Sequence, residues 1–377
     1  MNGSCEWKET SPVLVQCGVA SYEGLDPPFS PSEKYPELPF LKKETLSRTT
    51  NRVYAGVRRL LEDMGLDRAH AGTEGWNPLG DLVGPGQTVV MKPNLVRDKN
   101  PQKGGTTDSL VTHLSVIRPL VDYAYKAVGP TGRVVICDAP QQDCDMENLR
   151  SYWGIDELQA FYEEQAGIEV EFIDLRLEAV TFQDGVITGR RKLPGDPAGY
   201  TVFNLGDVSE FAQVTDKLGM LRGADYDHEV TLAHHREGRH EYCISNTVLK
   251  ADLLINLPKM KTHKKSGVTL ALKNLVGING DKNWLPHFRR GFPEEGGDEF
   301  PYPTMRRRIR SWAVERTRRM LKAEKFTFLV RWARRFENAL MLVEEERSGN
   351  WCGNDTVWRM VMDLNRCLYF GDVEKGG

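Results

Sequence analysis

A chain of 377 residues, 40% hydrophobic and 27% charged, has the composition of a globular protein with a full core and room for about two domains. Its net charge of −3 offers no global field to draw in nucleic acid, so DNA is not an expected partner and any anion binding must come from local clusters of cations. No apolar run approaches the ~20 residues of a membrane helix, and the N-terminus lacks the basic-then-apolar pattern of a secretory signal; both lead to the expectation of a cytoplasmic protein without a membrane span.

In chain order, Val13-Leu14-Val15-Gln16-Cys17 reads as a short strand, and Asp26-Pro27-Pro28-Phe29-Ser30-Pro31 as an extended, irregular segment. Over residues 50–64, Val53, Val57, Leu60, Leu61 and Met64 share one helical face, and Gly65 ends the helix. Thr88-Val89-Val90-Met91 is a buried strand running into Lys92-Pro93-Asn94. Residues 115–128 form a helix, and Val134-Val135-Ile136-Cys137 the next strand, with Asp138-Ala139-Pro140 at its end. A strand–helix–strand unit of this kind implies a right-handed crossover and a parallel sheet. A helix over 155–166, a strand over 170–174 and a β-hairpin insertion within 180–205 follow. Next come a His- and Asp-rich loop (225–241), a helix (245–250), the buried strand Leu253-Leu254-Ile255-Asn256-Leu257, a loop, and a helix near 267–276. Residues 305–347 are basic and helical, with Ile309, Trp312, Met320 and Phe328 supplying apolar faces that suit contact between copies of the chain. The expected architecture is α/β: a parallel-rich sheet with helices on both faces over 81–300, an N-terminal extension over 1–80 and a helical basic C-terminal region over 301–377.

The chemistry concentrates at strand ends. Ligands of parallel α/β sheets bind beyond the carboxyl ends of the strands, and there this chain carries Pro258-Lys259-Met260-Lys261-Thr262-His263-Lys264-Lys265. Lys259 and Lys261 are expected to flank an anion, with Lys264 and Lys265 solvated. Lys273 and Asn274, in the helix that follows, return toward the same place. Lys92 and Asn94, held by the intervening proline, make a second strand-end site, and Asp138 a third. Gly277-Ile278-Asn279-Gly280-Asp281-Lys282 is a turn that lets backbone approach a ligand closely. His263 or His287 would act as acid, base or metal ligand, with Asp138 or Asp281 orienting them. Either a divalent metal, with His240 and Asp281 among its ligands, assists the chemistry, or the histidines act unaided. The seven cysteines are odd in number and show no C-x-x-C spacing, so no cysteine-ligated iron–sulfur cluster is expected. Phosphate-loop, dinucleotide and serine-hydrolase signatures are absent.

The segment ADLLINLPKMKTHKKSGVTLALKNLVGINGDKNWLPH resembles the hallmark stretch of the family called domain of unknown function 362. VVMKPNLV, the strand ending in CDAP, HHREGRHEY and the C-terminal GNDTVWRMVMDLNRCLYFGD resemble its long form. Many members carry a ferredoxin-like module of C-x-x-C-x-x-C repeats, which this chain lacks, and Phe288 stands where similar sequences often have a second histidine after His287. Long-form members resemble proteins of biosynthetic clusters for surface polysaccharide or specialised metabolites. Together these features lead to an enzyme acting on a small anionic substrate. The alternatives are a redox accessory protein and a non-catalytic binding or assembly protein.

Overall fold

The computed structural model describes residues 13–18, 21–183, 186–223, 227–322 and 348–372. The fold is α/β, and its principal sheet has four parallel strands in the order Leu253–Leu257, Thr88–Pro93, Arg133–Asp138, Val170–Asp174. Three of these strands are consecutive along the chain, and the strand 253–257 joins on the other side of the first. The strands are apolar and β-branched, and Val89, Val90, Met91, Val135 and Ile136 are fully buried.

The chain divides into two compact units. One comprises Met1–Met91, His113–Val135 and Arg150–Phe172 and contains the helices Arg52–Asp63, Leu114–Val128 and Ile155–Ala166. Asn51 caps the first of these by accepting from the Tyr54 N–H at 2.9 Å. A polar knot sits in this unit's core. The buried Arg118 pairs with Asp122 at 3.2 Å and donates to the Pro28 carbonyl at 2.7 Å, and the hydroxyls of Tyr54 and Tyr162 both donate to Asp122. A buried charge pair is tolerable only where further hydrogen bonds support it, and here all but Nη2 of Arg118 are met among the described residues. The segment 13–17, expected as a strand, has no regular structure, and Val13 and Val15 are exposed.

The other unit comprises Lys92–Thr112, Ile136–Leu149 and Ile173–Gly377. It holds the carboxyl ends of three of the sheet strands and the whole of 253–257. Glu178–Gln183 and Val186–Lys192 form the expected hairpin. Tyr200–Asn204 pairs antiparallel with Arg239–Ser245. The final helix, Val357–Phe370, buries Val357, Met360, Leu364 and Cys367 in this unit.

Several local expectations change. The strand 253–257 is half-buried along its whole length because it lies at the edge of its sheet. The His- and Asp-rich stretch is no loop: Asp227 caps a helix, His228–His234, and His235–Arg236 pairs with Arg239–His240 in a tight hairpin. The expected helix near 267–276 is replaced by a strand, Gly267–Thr269, a single helical turn, Ala271–Asn274, and a 3-10 turn. Of the basic C-terminal region, Met305–Lys322 is helical, and 323–347 lies outside the described residues. No helix among the described residues is long and apolar enough to cross a membrane.

Candidate functional site

The site lies in the second unit, where Lys92-Pro93-Asn94 and the 258–263 segment leave neighbouring strands. In the sheet order the last strand, 253–257, lies beside the first rather than beside the third, so the order reverses between them, and such a reversal is the topological switch point at which α/β folds bind ligands.

At its floor, Lys92 and Asp138 form a buried ion pair at 2.7 Å. Lys92 Nζ also donates to the Pro93 carbonyl at 2.7 Å, and Asp138 Oδ2 accepts from the Leu95 N–H at 2.6 Å. Gly277 closes this pair off: a Cβ on it would lie 1.8 Å from Asp138 Oδ1 and 2.5 Å from Lys92 Nζ. Only glycine allows the backbone so close. The pair is satisfied from within the protein and serves as a rigid base.

Above it runs a chain of amides. Asn274 donates to the Lys92 carbonyl at 2.9 Å and to Asn256 Oδ1 at 2.8 Å, and accepts from Asn94 Nδ2 at 3.1 Å. Asn94 Oδ1 in turn accepts from Lys261 Nζ at 2.8 Å, and Lys261 also donates to the Leu110 carbonyl. Lys92, Asn94, Asp138, Lys261 and Asn274, singled out separately in the sequence, thus belong to one connected network. Asn256 is its unforeseen member; a polar residue inside an apolar strand was the available signal.

The segment after Pro258 is not irregular. Lys261–His263 pairs antiparallel with Gly267–Thr269, setting Lys261 opposite Thr269 and His263 opposite Gly267. Side chains alternate along a strand, and opposed residues share a face, so Lys261, His263 and Thr269 project from the same side. Lys265, expected in solvent, is half-buried and donates to the Ser348 carbonyl. Lys259 lies under the field of Asp108. The helical turn Ala271–Asn274 is too short to act as a dipole; what it supplies is the placement of Lys273 and Asn274.

The electrostatics are those of a cationic site short of acids. Burial lowers the ammonium of Lys261 to about 8, helped by repulsion from Lys273. Burial lowers Lys273 to about 8 as well. Lys273 has no hydrogen-bond or ion-pair partner among the described residues. Burial, then Lys273 and His287, push His263 down to about 2; burial and Lys273 push His287 down to about 3, against its bond to Leu285. Both rings are therefore neutral near pH 7. Their tautomers differ. His263 Nδ1 accepts from the Lys265 N–H at 3.2 Å, so its proton sits on Nε2. His287 Nδ1 is 2.8 Å from the Leu285 carbonyl and must carry the proton, leaving the lone pair on Nε2. The buried Lys282, at the end of the glycine-rich turn, donates to the Val276 carbonyl at 2.8 Å, and burial lowers it to about 7.

His240 and Asp281 lie apart from this network. His240 is buried 3.4 Å from His235 and packs against Phe211. Asp281 caps the turn that follows by accepting from the Asn283 N–H at 2.9 Å. Among the described residues, no group of three or more His, Cys, Asp or Glu side chains is arranged to hold a metal ion.

Residues 194–371 match the family model described as a domain of unknown function (DUF362). No curated protein and no solved structure matches the chain.

Proposed function

Starting from a chain whose residues 194–371 are a DUF362 domain, we propose that it is an enzyme acting on a small phosphorylated or carboxylated substrate held between Lys261 and Lys273. The observation that carries this is Lys273, a half-buried lysine with no hydrogen-bond or ion-pair partner among the described residues, set within the field of a second lysine and two neutral histidines. Holding like charges together in a partly desolvated place is unfavourable unless an anion joins them. Lys92 and Asp138 serve as the rigid support, and Asn94 and Asn274 hold the lysine and the helical turn in place.

The neutral histidines supply acid–base capacity beside the bound anion. His287, with its lone pair on Nε2, is the base; His263, with its proton on Nε2, is the hydrogen-bond donor. Placing the reaction in a biosynthetic pathway, and the protein in the cytoplasm, extends the same proposal.

The test is thermal protection. Phosphate, sulfate or a sugar phosphate that binds only the native state raises stability by RT ln(1 + [L]/Kd). Replacing Lys261 and Lys273 together by alanine abolishes that protection and leaves a folded protein. A double variant protected as well as the wild type sinks the proposal. Native mass spectrometry of protein from its own host then identifies any retained ligand.

A further inference from the structure

Thr269 stands out in the hairpin. It is 2% exposed, yet its hydroxyl has no hydrogen-bond partner among the described residues. A buried hydroxyl without a partner is costly, and native proteins rarely keep one without a reason. Its register position is directly opposite Lys261, on the face that also carries His263. Lys261, its partner in the register, in turn lies within the repulsive field of Lys273. No acidic side chain is bonded to either lysine among the described residues; the nearby Asp138 is engaged by Lys92 and the Leu95 N–H.

We infer that the substrate is a phosphate ester, with its phosphate held by Lys261, Lys273 and the Thr269 hydroxyl. This rests on the proposed anion site and narrows it. A carboxylate carries one charge and would leave one of the two ammonium groups uncompensated. A phosphate monoester carries nearly two charges at neutral pH. It also has three acceptor oxygens, enough for two ammonium groups and one hydroxyl. His263, on the same hairpin face, presents its Nε2–H as a further donor.

The test measures binding of inorganic phosphate and of acetate to the full chain by calorimetry at constant ionic strength, for the wild type, Thr269→Val and Thr269→Ser. Valine keeps the shape and removes the hydroxyl; serine keeps the hydroxyl. A hydrogen bond to a charged ligand predicts that Thr269→Val weakens phosphate binding by about tenfold or more. Thr269→Ser stays near the wild type, and acetate binds far more weakly than phosphate to all three. Without phosphate, Thr269→Val melts at the same temperature as the wild type or higher, because it removes an unsatisfied buried group. Acetate binding as tightly as phosphate would overturn the phosphate assignment and leave the anion site standing. So would a Thr269→Val protein that keeps its phosphate affinity, or one that melts lower without phosphate. Failure of both anions to bind the wild type would remove the anion site itself, and this inference with it.

Discussion

His263 and His287 are both neutral but protonated on opposite nitrogens, because one ring accepts a backbone N–H and the other faces a backbone carbonyl. Nitrogen-15 NMR at pH 6 should show an Nε2–H neutral ring for His263 and an Nδ1–H neutral ring for His287; an imidazolium signal from either would refute the assignment. His263→Gln keeps an acceptor for the Lys265 N–H and should be nearly neutral for folding, whereas His263→Ala should cost about 1 kcal/mol. The sequence places His263 among lysines, which suggests that like charge keeps it neutral. Burial is in fact the larger cause, and burial cannot be read from KMKTHKK. Gly277 is the other decisive residue. Its missing Cβ leaves room for the Lys92–Asp138 pair, and Gly277→Ala should disrupt that buried pair at a cost of roughly 3 kcal/mol or more, read by denaturant unfolding.

The regular elements of the sheet are legible because their apolar patterns are long. The helices at 52–63, 114–128 and 155–166 and the strand 170–174 fall where periodicity puts them, to within two residues. The hairpin 261–269 is not legible. Its strands are three residues each, too short for any alternation to show, and the apolar GVTLAL reads equally well as a helix. Thr269 is illegible as a site residue for the same reason. The amide network is more legible, since Lys92, Asn94 and Lys261 stand at or just beyond strand ends and Asn274 in the segment that returns toward them. The terminal helix contributes through Asn365, whose Nδ2 donates to the Leu272 carbonyl at 3.0 Å and so steadies the turn that carries Lys273. Asn365→Ala should cost about 1 kcal/mol of stability and weaken phosphate binding, although the residue touches neither lysine. Unchanged binding in a less stable variant would show that the turn holds its geometry without the helix.

Across the molecule, buried histidines weigh on the acid side of the stability curve. Burial lowers His235 to about 3 and His240 to about 4, and His263 and His287 are lowered too. In each case the folded state binds its proton less readily than the unfolded state does. The stability these rings allow is therefore complete above the unfolded value near 6.5, and is lost as pH falls through the window between 6.5 and the folded values. At pH 5 each of His235 and His240 costs up to about 2 kcal/mol. Asp363 works the other way. Burial raises it to about 6, so its folded carboxyl keeps a proton that the unfolded chain has already released, and stability from this group falls as pH rises from about 4 to 6. Asp298 is raised by burial as well, whereas Glu241, Glu315 and Asp355, against the effect of burial, are lowered by their arginine partners and side with the four histidines, so the melting temperature should fall below pH 6.5. The double variant His235→Phe with His240→Leu removes two of the four and should flatten the acid limb, provided its neutral-pH melting temperature shows that the core beside Phe211 still packs. Asp363→Asn should steepen the same limb between pH 4 and 6, because it deletes an opposing group while its amide oxygen still accepts from Ser209 and Tyr242, at the loss of the bond from the Glu210 N–H. An acid limb unchanged in both variants would mean that the proton uptake driving acid unfolding occurs elsewhere in the chain.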